Sequence, residues 1–301
     1  MLQPFLPATL LFTMVNELSA GIIVLKKEAA NDFYFFYLND YAKKLYWLDP
    51  QASILGQPLS SQMIWQDPSV LERLQRAYRS SVSQSFEQLI RKDASGSDTE
   101  LWYQIKTQRH DDYLVLLVED ISKRKRFEAH IHKLAFQDEL TGLYNRRYFL
   151  SRTPQLLSLA KRFQWSCGLL YFDLNGFKEI NDTLGHSAGD EVLKQIAWRL
   201  SKLSREQDIL FRSGGDEFAL FLPQTSESCA LKTAQRIAQT FDESIEISGQ
   251  ALRPGASIGI AVLPSSEAHV DSLLERADSA MYLAKERKEL EHVPIQLWTP
   301  G

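Results

Sequence analysis

The chain has 301 residues but only two cysteines, Cys167 and Cys229. Two isolated thiols exclude a disulfide framework and a cysteine-rich zinc site, and they fit a reducing, cytoplasmic location. Basic residues are not in excess either: the formal net charge is −4, which argues against bulk nucleic-acid binding. The apolar N-terminal stretch MLQPFLPATLLFTMVNEL is too short to span a bilayer and lacks the basic leader of a signal peptide, so we expect no transmembrane segment.

The remaining composition is that of a globular protein. Hydrophobic residues make up 44% of the chain and charged residues 24%, and the length suits two domains of ordinary size. We predict a short helical segment over residues 1–18, a first domain over 19–122, a helical connector over 123–137 and a second domain over 138–301.

The most informative stretch is ILFRSGGDEFALFL at residues 209–222. Two apolar runs flank Gly214-Gly215, which predicts a β-hairpin. Asp216 and Glu217 lie at its tip, where a twisted backbone allows both carboxylates to reach one cation. Because glycine and aspartate are common in turns, the pattern alone also fits a solvated turn.

A second acidic site follows the apolar run CGLLYFDL, residues 167–174, which predicts a buried strand that delivers Asp173 at its end. Ser187 is predicted to cap a following helix, with Asp190 completing a capping box. If the strands are neighbours in one sheet, Asp173 meets the pair Asp216-Glu217. Three carboxylates around one point are costly without cations, so we expect two Mg²⁺ ions and a triphosphate, as in phosphoryl or nucleotidyl transfer.

The second half of the chain resembles the GGDEF domain of diguanylate cyclases. The matching segments are DELTGLYNRR (138–147), FDLNGFKEINDTLGHSAGD (172–190), RSGGDEF (212–218), ASIGIA (256–261) and ADSAMYLAK (277–285). The resemblance implies an α/β (α+β) domain with a ferredoxin-like, nucleotidyl-cyclase-like core and a mostly antiparallel sheet. It also implies that two GTP molecules, held by two facing domains, condense to cyclic di-GMP and two pyrophosphates.

The resemblance implies a role for each residue at a matching position. The metal ligands would be Asp173, the backbone carbonyl of Leu174, Asp216 and Glu217, and Asp216 would also deprotonate the attacking 3′-hydroxyl. Lys178 would stabilise charge on the phosphates. Guanine and phosphate would be bound by Asn181, His186, Asp190 and Lys285. Taken singly, the lysines also fit solvated helix positions, and Asp190 also fits a simple cap.

A product site and one departure complete the resemblance. Arg205 and Asp208 match an inhibitory R-x-x-D site for cyclic di-GMP, in which arginine grips phosphate or a guanine edge and aspartate accepts from guanine N–H groups. Arg236 is a looser candidate for a further contact. Where family members often carry a phosphate-binding arginine, this chain has Glu289, which would repel a triphosphate unless Arg287 or Lys288 compensates.

Residues 19–122 resemble a PAS sensor domain. Two helices and five strands are predicted in the order of that fold, and EDISKRK at 119–125 resembles its exit segment. The region has no cysteine, which excludes a flavin–cysteine photocentre, and its one histidine, His110, lies in a predicted turn rather than in a haem pocket. The ligand of this domain stays open, and the aromatic run 33–37 is expected to serve the core and a dimer surface.

The connector predicts a homodimer. Phe127, Ile131 and Leu134 have the spacing of a short coiled-coil seam, which would place two catalytic domains side by side. The favoured interpretation is a Mg²⁺-dependent diguanylate cyclase, regulated by the PAS-like domain and by its product. The alternatives are a non-catalytic cyclic di-GMP receptor and a GTP-binding signalling or dimerisation module. Release of pyrophosphate from GTP separates the first interpretation from both others.

Overall fold

The structure, a computed structural model, describes residues 7–28, 32–45, 54–61, 68–80, 82–92, 99–247 and 249–299. The chain forms two compact units, Met1–Ala129 and His130–Gly301. Over the described ranges, each unit has a hydrophobic core of its own. None of the helices in these ranges is long and apolar enough to cross a membrane.

The first unit contains a five-stranded sheet and its helices. Its elements are α1 (Ala8–Glu17), β1 (Gly21–Lys27), β2 (Phe33–Leu38), α2 (Asp40–Leu45), a 3₁₀ turn (Leu59–Ser61), α3 (Pro68–Ser80), β3 (Gln84–Lys92), β4 (Thr99–His110) and β5 (Tyr113–Asp120). The strands are antiparallel and lie in the order β2-β1-β5-β4-β3. This arrangement is compatible with the predicted PAS-like fold. Residues 1–6 of the predicted N-terminal segment lie outside the described part.

Alternating residues of the strands build the core of this unit. On β5, Leu114, Leu116 and Val118 are fully buried, as the two-residue period of a strand requires. Phe33 and Phe35 on β2 belong to the same core, whereas Phe36 is 54% exposed. The aromatic run therefore supplies core residues from one face of the strand, as predicted; its part in a dimer surface stays a prediction.

The connector is a helix, α4 (Ser122–Phe136), which spans the boundary between the two units. Its three apolar seam residues remain largely exposed: Phe127 at 64%, Ile131 at 48% and Leu134 at 54%. The predicted helix is confirmed, and the pairing of two such helices stays a prediction.

The second unit is a six-stranded, mostly antiparallel sheet with helices on both faces. Its elements are β6 (Tyr144–Asn145), α5 (Arg146–Phe163), β7 (Cys167–Asn175), α6 (Phe177–Leu184), α7 (His186–Ser201), β8 (Ile209–Gly214), β9 (Glu217–Leu222), α8 (Glu227–Thr240), β10 (Ile245–Ile247), β11 (Gln250–Leu252), β12 (Gly255–Leu263), α9 (Val270–Lys285) and β13 (Ile295–Leu297). The sheet order is β13-β12-β7-β9-β8-β6, and β10 and β11 form a separate hairpin. Only the outer pairs β12–β13 and β6–β8 are parallel among the described strands.

Strand β7 is buried on both faces and sets the direction of the functional side chains. Leu170 and Phe172 belong to the core beneath α7 and α8, whereas Leu169 and Tyr171 belong to the core beneath α5 and α9. Because side chains alternate along a strand, Asp173 lies on the same side as Tyr171, the side of α9.

The predicted capping box at the start of α7 is wrong. The helix begins at His186, so Ser187 lies inside its first turn, and the N-cap residue is Gly185, with no side-chain capping bond. Gly185 has a φ of +85°, a conformation that favours glycine and that ends α6 and begins α7 within one residue. Asp190 is therefore not needed as a capping partner and is exposed.

Candidate functional site

The motif hairpin forms as predicted, with β8 and β9 joined by Gly215 and Asp216. Gly215 adopts a left-handed φ of +51°, which a residue with a side chain rarely tolerates. The strand register shifts between Arg212 and Gly214, so a bulge lies at Ser213. The bulge and turn place polar residues of both strands at one end of the sheet.

The three predicted acids come together at this end. Asp173 is the direct antiparallel partner of Glu217, and the Leu174 N–H donates to the Asp216 carbonyl oxygen at 3.3 Å. Directly opposite residues have β-carbons about 4.5–5.5 Å apart, with both side chains on one face. Burial raises the pKa of Asp173, and the charges of Asp216 and Glu217 add to this effect, against a hydrogen bond from Lys285 that lowers it. The site therefore concentrates negative charge.

Lys285 lies in the same site. It is the last residue of α9, and its Nζ is 3.0 Å from Asp173 Oδ2. The lysine predicted to bind phosphate thus pairs with one of the predicted metal ligands and places a positive charge beside the acids.

Tyr171 was missed by the sequence analysis, which read it as part of an apolar strand. Its hydroxyl oxygen lies 2.7 Å from Ser213 Oγ and 2.8 Å from Glu217 Oε2. The side chain is buried, and burial is the main cause that raises the pKa of Tyr171 to about 12, so the phenol stays protonated at neutral pH. The two-residue spacing to Asp173 was the available signal, because it puts both side chains on one face.

A second missed contact ties the hairpin turn to the start of the domain. The Arg212 Nη1 donates to Asp138 Oδ1 at 2.9 Å, and its Nε and Nη2 donate to the Gly215 carbonyl oxygen at 2.9 and 2.6 Å. Asp138 also accepts from the Thr141 N–H and hydroxyl at 2.9 and 2.6 Å. Burial alone would raise the pKa of Asp138, but these hydrogen bonds lower it below its ordinary value.

The predicted guanine-binding residues lie on two adjoining helices. Asn181 is on α6 and Asp190 on α7, and both helices meet at Gly185, whose N–H donates to the Asn181 carbonyl oxygen at 2.9 Å. Gly189 is packed against Asn181 so closely that a β-carbon there would collide with Asn181 Oδ1. Gly189 is thus a further residue that the sequence analysis missed.

The remaining predicted substrate contacts, Lys178 and His186, are exposed. Lys178 lies on α6 and His186 is the first residue of α7, beside the predicted guanine-binding residues along the chain. No hydrogen bond or ion pair occupies either side chain among the residues described. Both are therefore available to a ligand.

The acidic end of the sheet fits a magnesium ion that is bound together with phosphates. Within the described ranges, no three acidic, histidine or cysteine side chains form a ready-made metal cage. Mg²⁺ does not need one, since it typically takes one or two carboxylates and fills its other positions with water and phosphate oxygens. Asp173 and Glu217 supply such carboxylates. Burial is the main cause that raises the pKa of Asp173, and the charges of Asp216 and Glu217 add to it, so a cation bound here would relieve part of this cost.

The predicted product site is only partly assembled. The Arg205 N–H donates to Asp208 Oδ2 at 2.9 Å, while the Arg205 guanidinium is exposed and makes no ion pair in the described part. Burial raises the pKa of Asp208. Arg236 lines a separate pocket of about 330 Å³ between α7 and α8, and neither Arg205 nor Asp208 lines that pocket.

The structure bears on the unusual Glu289. Arg287, one of the two proposed substitutes for the usual arginine, donates from Nη2 to the Ile295 carbonyl oxygen at 2.7 Å and lies 3.6 Å from Glu291. The Arg287 side chain is therefore already engaged by β13 and by Glu291, four residues further along the chain. Lys288, the other proposed substitute, is exposed, and its side chain makes no hydrogen bond or ion pair in the part of the chain that the structure describes.

The mostly antiparallel sheet and the acidic hairpin at its end are the features that the resemblance to a GGDEF domain implies. The family model "Diguanylate cyclase, GGDEF domain" matches residues 135–290, just over half of the chain. The chain belongs to this family.

Named relatives and solved structures agree with this assignment. Diguanylate cyclase DgcM of Escherichia coli is 40% identical over 177 residues, which cover 58% of this chain and 42% of DgcM. The GGDEF domain of TpbB from Pseudomonas aeruginosa is 38% identical with a TM-score of 0.51, covering 54% of this chain and 94% of that one. The coiled coil and GGDEF domain of DgcB from Caulobacter crescentus, solved with c-di-GMP, is 25% identical with a TM-score of 0.53, covering 58% and 93%. The chain spans less than half the length of DgcM.

Proposed function

We propose that this protein is a diguanylate cyclase that joins two GTP molecules into cyclic di-GMP and releases two pyrophosphates. The observation that carries the proposal is the meeting of Asp173, Asp216 and Glu217 at the motif hairpin of a GGDEF domain. Relatives such as DgcM are named diguanylate cyclases. When bound, Mg²⁺ would neutralise phosphate charge and stabilise the attacking alkoxide.

The side chains divide the reaction between them. Asp173, Glu217 and the Leu174 carbonyl would hold the cations, together with Asp216. Asp216 would also accept the 3′-hydroxyl proton, for which an aspartate is a weak base unless the alkoxide is stabilised. Lys178 and Lys285 would meet the triphosphate. A short move of Lys285 from Asp173 to a phosphate oxygen would suffice, since its Nζ already lies in the site.

Base selection would come from α6 and α7. The Asp190 carboxylate can accept from guanine N1–H and N2–H together, a donor pair that adenine lacks. Asn181 would supply a further polar contact to the base, and His186 a contact to the substrate. A site built on such pairs rejects ATP because adenine leaves its acceptors unpaired.

Regulation is proposed at two places. The PAS-like first unit would act as a sensor, and dimerisation along α4 would bring two GTP-bound domains together. Arg205 and Asp208 would bind cyclic di-GMP and inhibit the enzyme, with Arg236 as a further contact. The exposed side chain of Arg205 supports a ligand there, because the Arg205 backbone N–H, and not its guanidinium, makes the hydrogen bond that holds the turn.

The decisive experiment is incubation of the full chain with GTP and Mg²⁺, with the nucleotides resolved by chromatography. We expect cyclic di-GMP and pyrophosphate, and no product with EDTA. Asp216→Asn should abolish turnover and retain the fold, because its carboxylate makes no hydrogen bond or ion pair in the described part. Near-normal turnover of folded Asp216→Asn would contradict the assignment.

A non-catalytic cyclic di-GMP receptor is the second candidate. It is favoured by Glu289 at the usual arginine position and by the engagement of Arg287 with β13. A chain that binds cyclic di-GMP but releases no pyrophosphate from GTP would establish this alternative.

A further inference from the structure

We propose that Tyr171 is a positioning residue of the catalytic site: its hydroxyl, backed by Ser213, fixes one oxygen of Glu217 and leaves the other for the cation. The inference rests on the proposed function, because it assigns a partner to a proposed metal ligand. It concerns a residue whose hydroxyl takes no part in the roles described above.

Tyr171, Ser213 and Glu217 form a hydrogen-bonded triad, and the number of available protons determines which group donates to which. A phenol has one proton, and an ionised carboxylate only accepts. Both contacts of the Tyr171 hydroxyl, 2.7 Å to Ser213 Oγ and 2.8 Å to Glu217 Oε2, are satisfied together when Ser213 donates to Tyr171 and Tyr171 donates to Glu217. The hydrogen bond to Glu217 is then charge-assisted, and the serine strengthens it by polarising the phenol.

The triad is held by three separate parts of the fold. Tyr171 comes from the middle of β7, with its ring buried in the core that includes Phe149 and Phe211. Ser213 lies at the bulge of β8, and Glu217 begins β9. Because the ring is buried, its hydroxyl is a fixed donor, and the Glu217 carboxylate loses the freedom that a surface glutamate would have.

The three acids of the site are consequently held in different ways. Asp173 pairs with Lys285, Glu217 is oriented by Tyr171, and the Asp216 carboxylate has neither kind of partner among the described residues. This difference suits a division of labour in which Glu217 is a pre-set ligand and Asp216 is free to exchange a proton. Partners of metal ligands typically change metal affinity or activity by about 10–100-fold when they are removed.

The test is Tyr171→Phe in the full chain, which removes the hydroxyl and keeps the ring. Binding of Mn²⁺ is measured by electron paramagnetic resonance in the presence of a GTP analogue with a methylene bridge between its α- and β-phosphates. We expect roughly tenfold weaker Mn²⁺ binding. The Mg²⁺ concentration that gives half-maximal initial rate should rise in parallel, with a smaller change at saturating metal. Ser213→Ala should shift both measurements in the same direction by less.

Tyr103→Phe is the matched control, because Tyr103 is a second buried tyrosine whose pKa burial raises to about 12 and which lies in the other unit. It should leave Mn²⁺ binding unchanged. Thermal unfolding shows whether Tyr171→Phe is folded. If it is not, the Mn²⁺ measurements on Ser213→Ala decide the proposal instead. Wild-type Mn²⁺ affinity in folded Tyr171→Phe, or an equal loss in Tyr103→Phe, would overturn the proposal. The two proposals can fail separately. If Tyr171→Phe binds Mn²⁺ more weakly but the wild type makes no cyclic di-GMP, Tyr171 positions Glu217 and the proposed reaction is wrong.

Discussion

At the scale of residues, the missing side chain of Gly189 leaves room for the amide of Asn181, which we propose contacts guanine. Gly189 lies in the first turns of α7 against the Asn181 amide, and any β-carbon there must displace Asn181 Oδ1. The displaced group is the end of a flexible side chain, and alanine favours a helix more than glycine does by about 1 kcal/mol. The fold should therefore tolerate alanine while the base contact does not.

We predict that Gly189→Ala raises the KM for GTP roughly three- to tenfold, the value of one neutral hydrogen bond of about 0.5–1.5 kcal/mol, and changes the melting temperature little. Steady-state kinetics and thermal unfolding check both parts. Ser187→Ala is the control, because Ser187 is exposed in the same turn and makes no capping bond. An unchanged KM in Gly189→Ala would mean that Asn181 does not contact guanine.

Arg205 offers a second prediction at this scale. Its backbone N–H holds Asp208, so replacing the side chain should leave the turn in place. Loss of one charge-assisted contact of about 1.5–3 kcal/mol should weaken cyclic di-GMP binding roughly ten- to a hundredfold in Arg205→Ala, while the initial rate before product accumulates stays near wild type. Calorimetry and progress curves with added product measure this, with Glu206→Ala as control. If wild type and Arg205→Ala bind cyclic di-GMP equally well, residues 205–208 are only a solvated loop.

At the scale of elements, the hairpin turn depends on a salt bridge from a distant segment. Arg212 joins Asp138, before β6, to the Gly215 carbonyl, and the two side chains are only 11% and 24% exposed. Removing the charge of Asp138 leaves a half-buried arginine without its anion. A charge-assisted contact of this kind typically contributes about 1–3 kcal/mol.

We predict that Asp138→Asn lowers the free energy of unfolding of the GGDEF domain by about 1–3 kcal/mol at pH 7 and lowers turnover. The folded-state pKa of Asp138 is below its ordinary value, near 3.9 in an unfolded chain. Its contribution is therefore complete above about pH 4 and is lost as the pH falls through the folded pKa. Urea unfolding should show the difference between wild type and Asp138→Asn shrinking below pH 4.

The control for this prediction is Glu139→Gln, the same chemical change at an exposed neighbour. It should have little effect at either pH. The difference in the free energy of unfolding between wild type and Asp138→Asn should shrink below pH 4. If it stays the same there, the ionised carboxylate is not what stabilises the turn.

The elements also show what the sequence could and could not predict. The apolar runs and the acids beside them predicted β7, β8 and β9, because strand ends and turn residues are local signals in a sequence. They also predicted that Asp173 and Glu217 would meet, and the two residues are direct partners in the sheet. Three contacts could not be predicted, because each depends on how segments far apart in the chain are aligned in space. They are Arg212–Asp138, Lys285–Asp173 and Tyr171–Glu217. The capping box failed for a local reason: the backbone of Gly185 allowed α7 to start earlier than its side-chain pattern indicated.

At the scale of the whole molecule, activity should depend on the meeting of two chains. The proposed reaction needs two GTP molecules on two domains, and residues 135–290 match one GGDEF domain. The exposed seam residues of α4, Phe127, Ile131 and Leu134, lie directly before that domain along the chain. Burying such a seam against a second copy would remove apolar surface from water and hold two catalytic domains near each other.

We therefore predict that the turnover per chain falls when the wild type is diluted, and that Ile131→Asp shifts this fall to higher protein concentration. An aspartate in the seam would bury an unpaired charge, so the dimer rather than the monomer is weakened. Sedimentation and initial rates are measured over the same concentrations, and the two midpoints should move together. Ala129→Asp introduces the same residue at an exposed position off the seam and should leave both midpoints in place. Turnover per chain that is constant across the dissociation of the dimer would show that the two domains do not need this helix to meet.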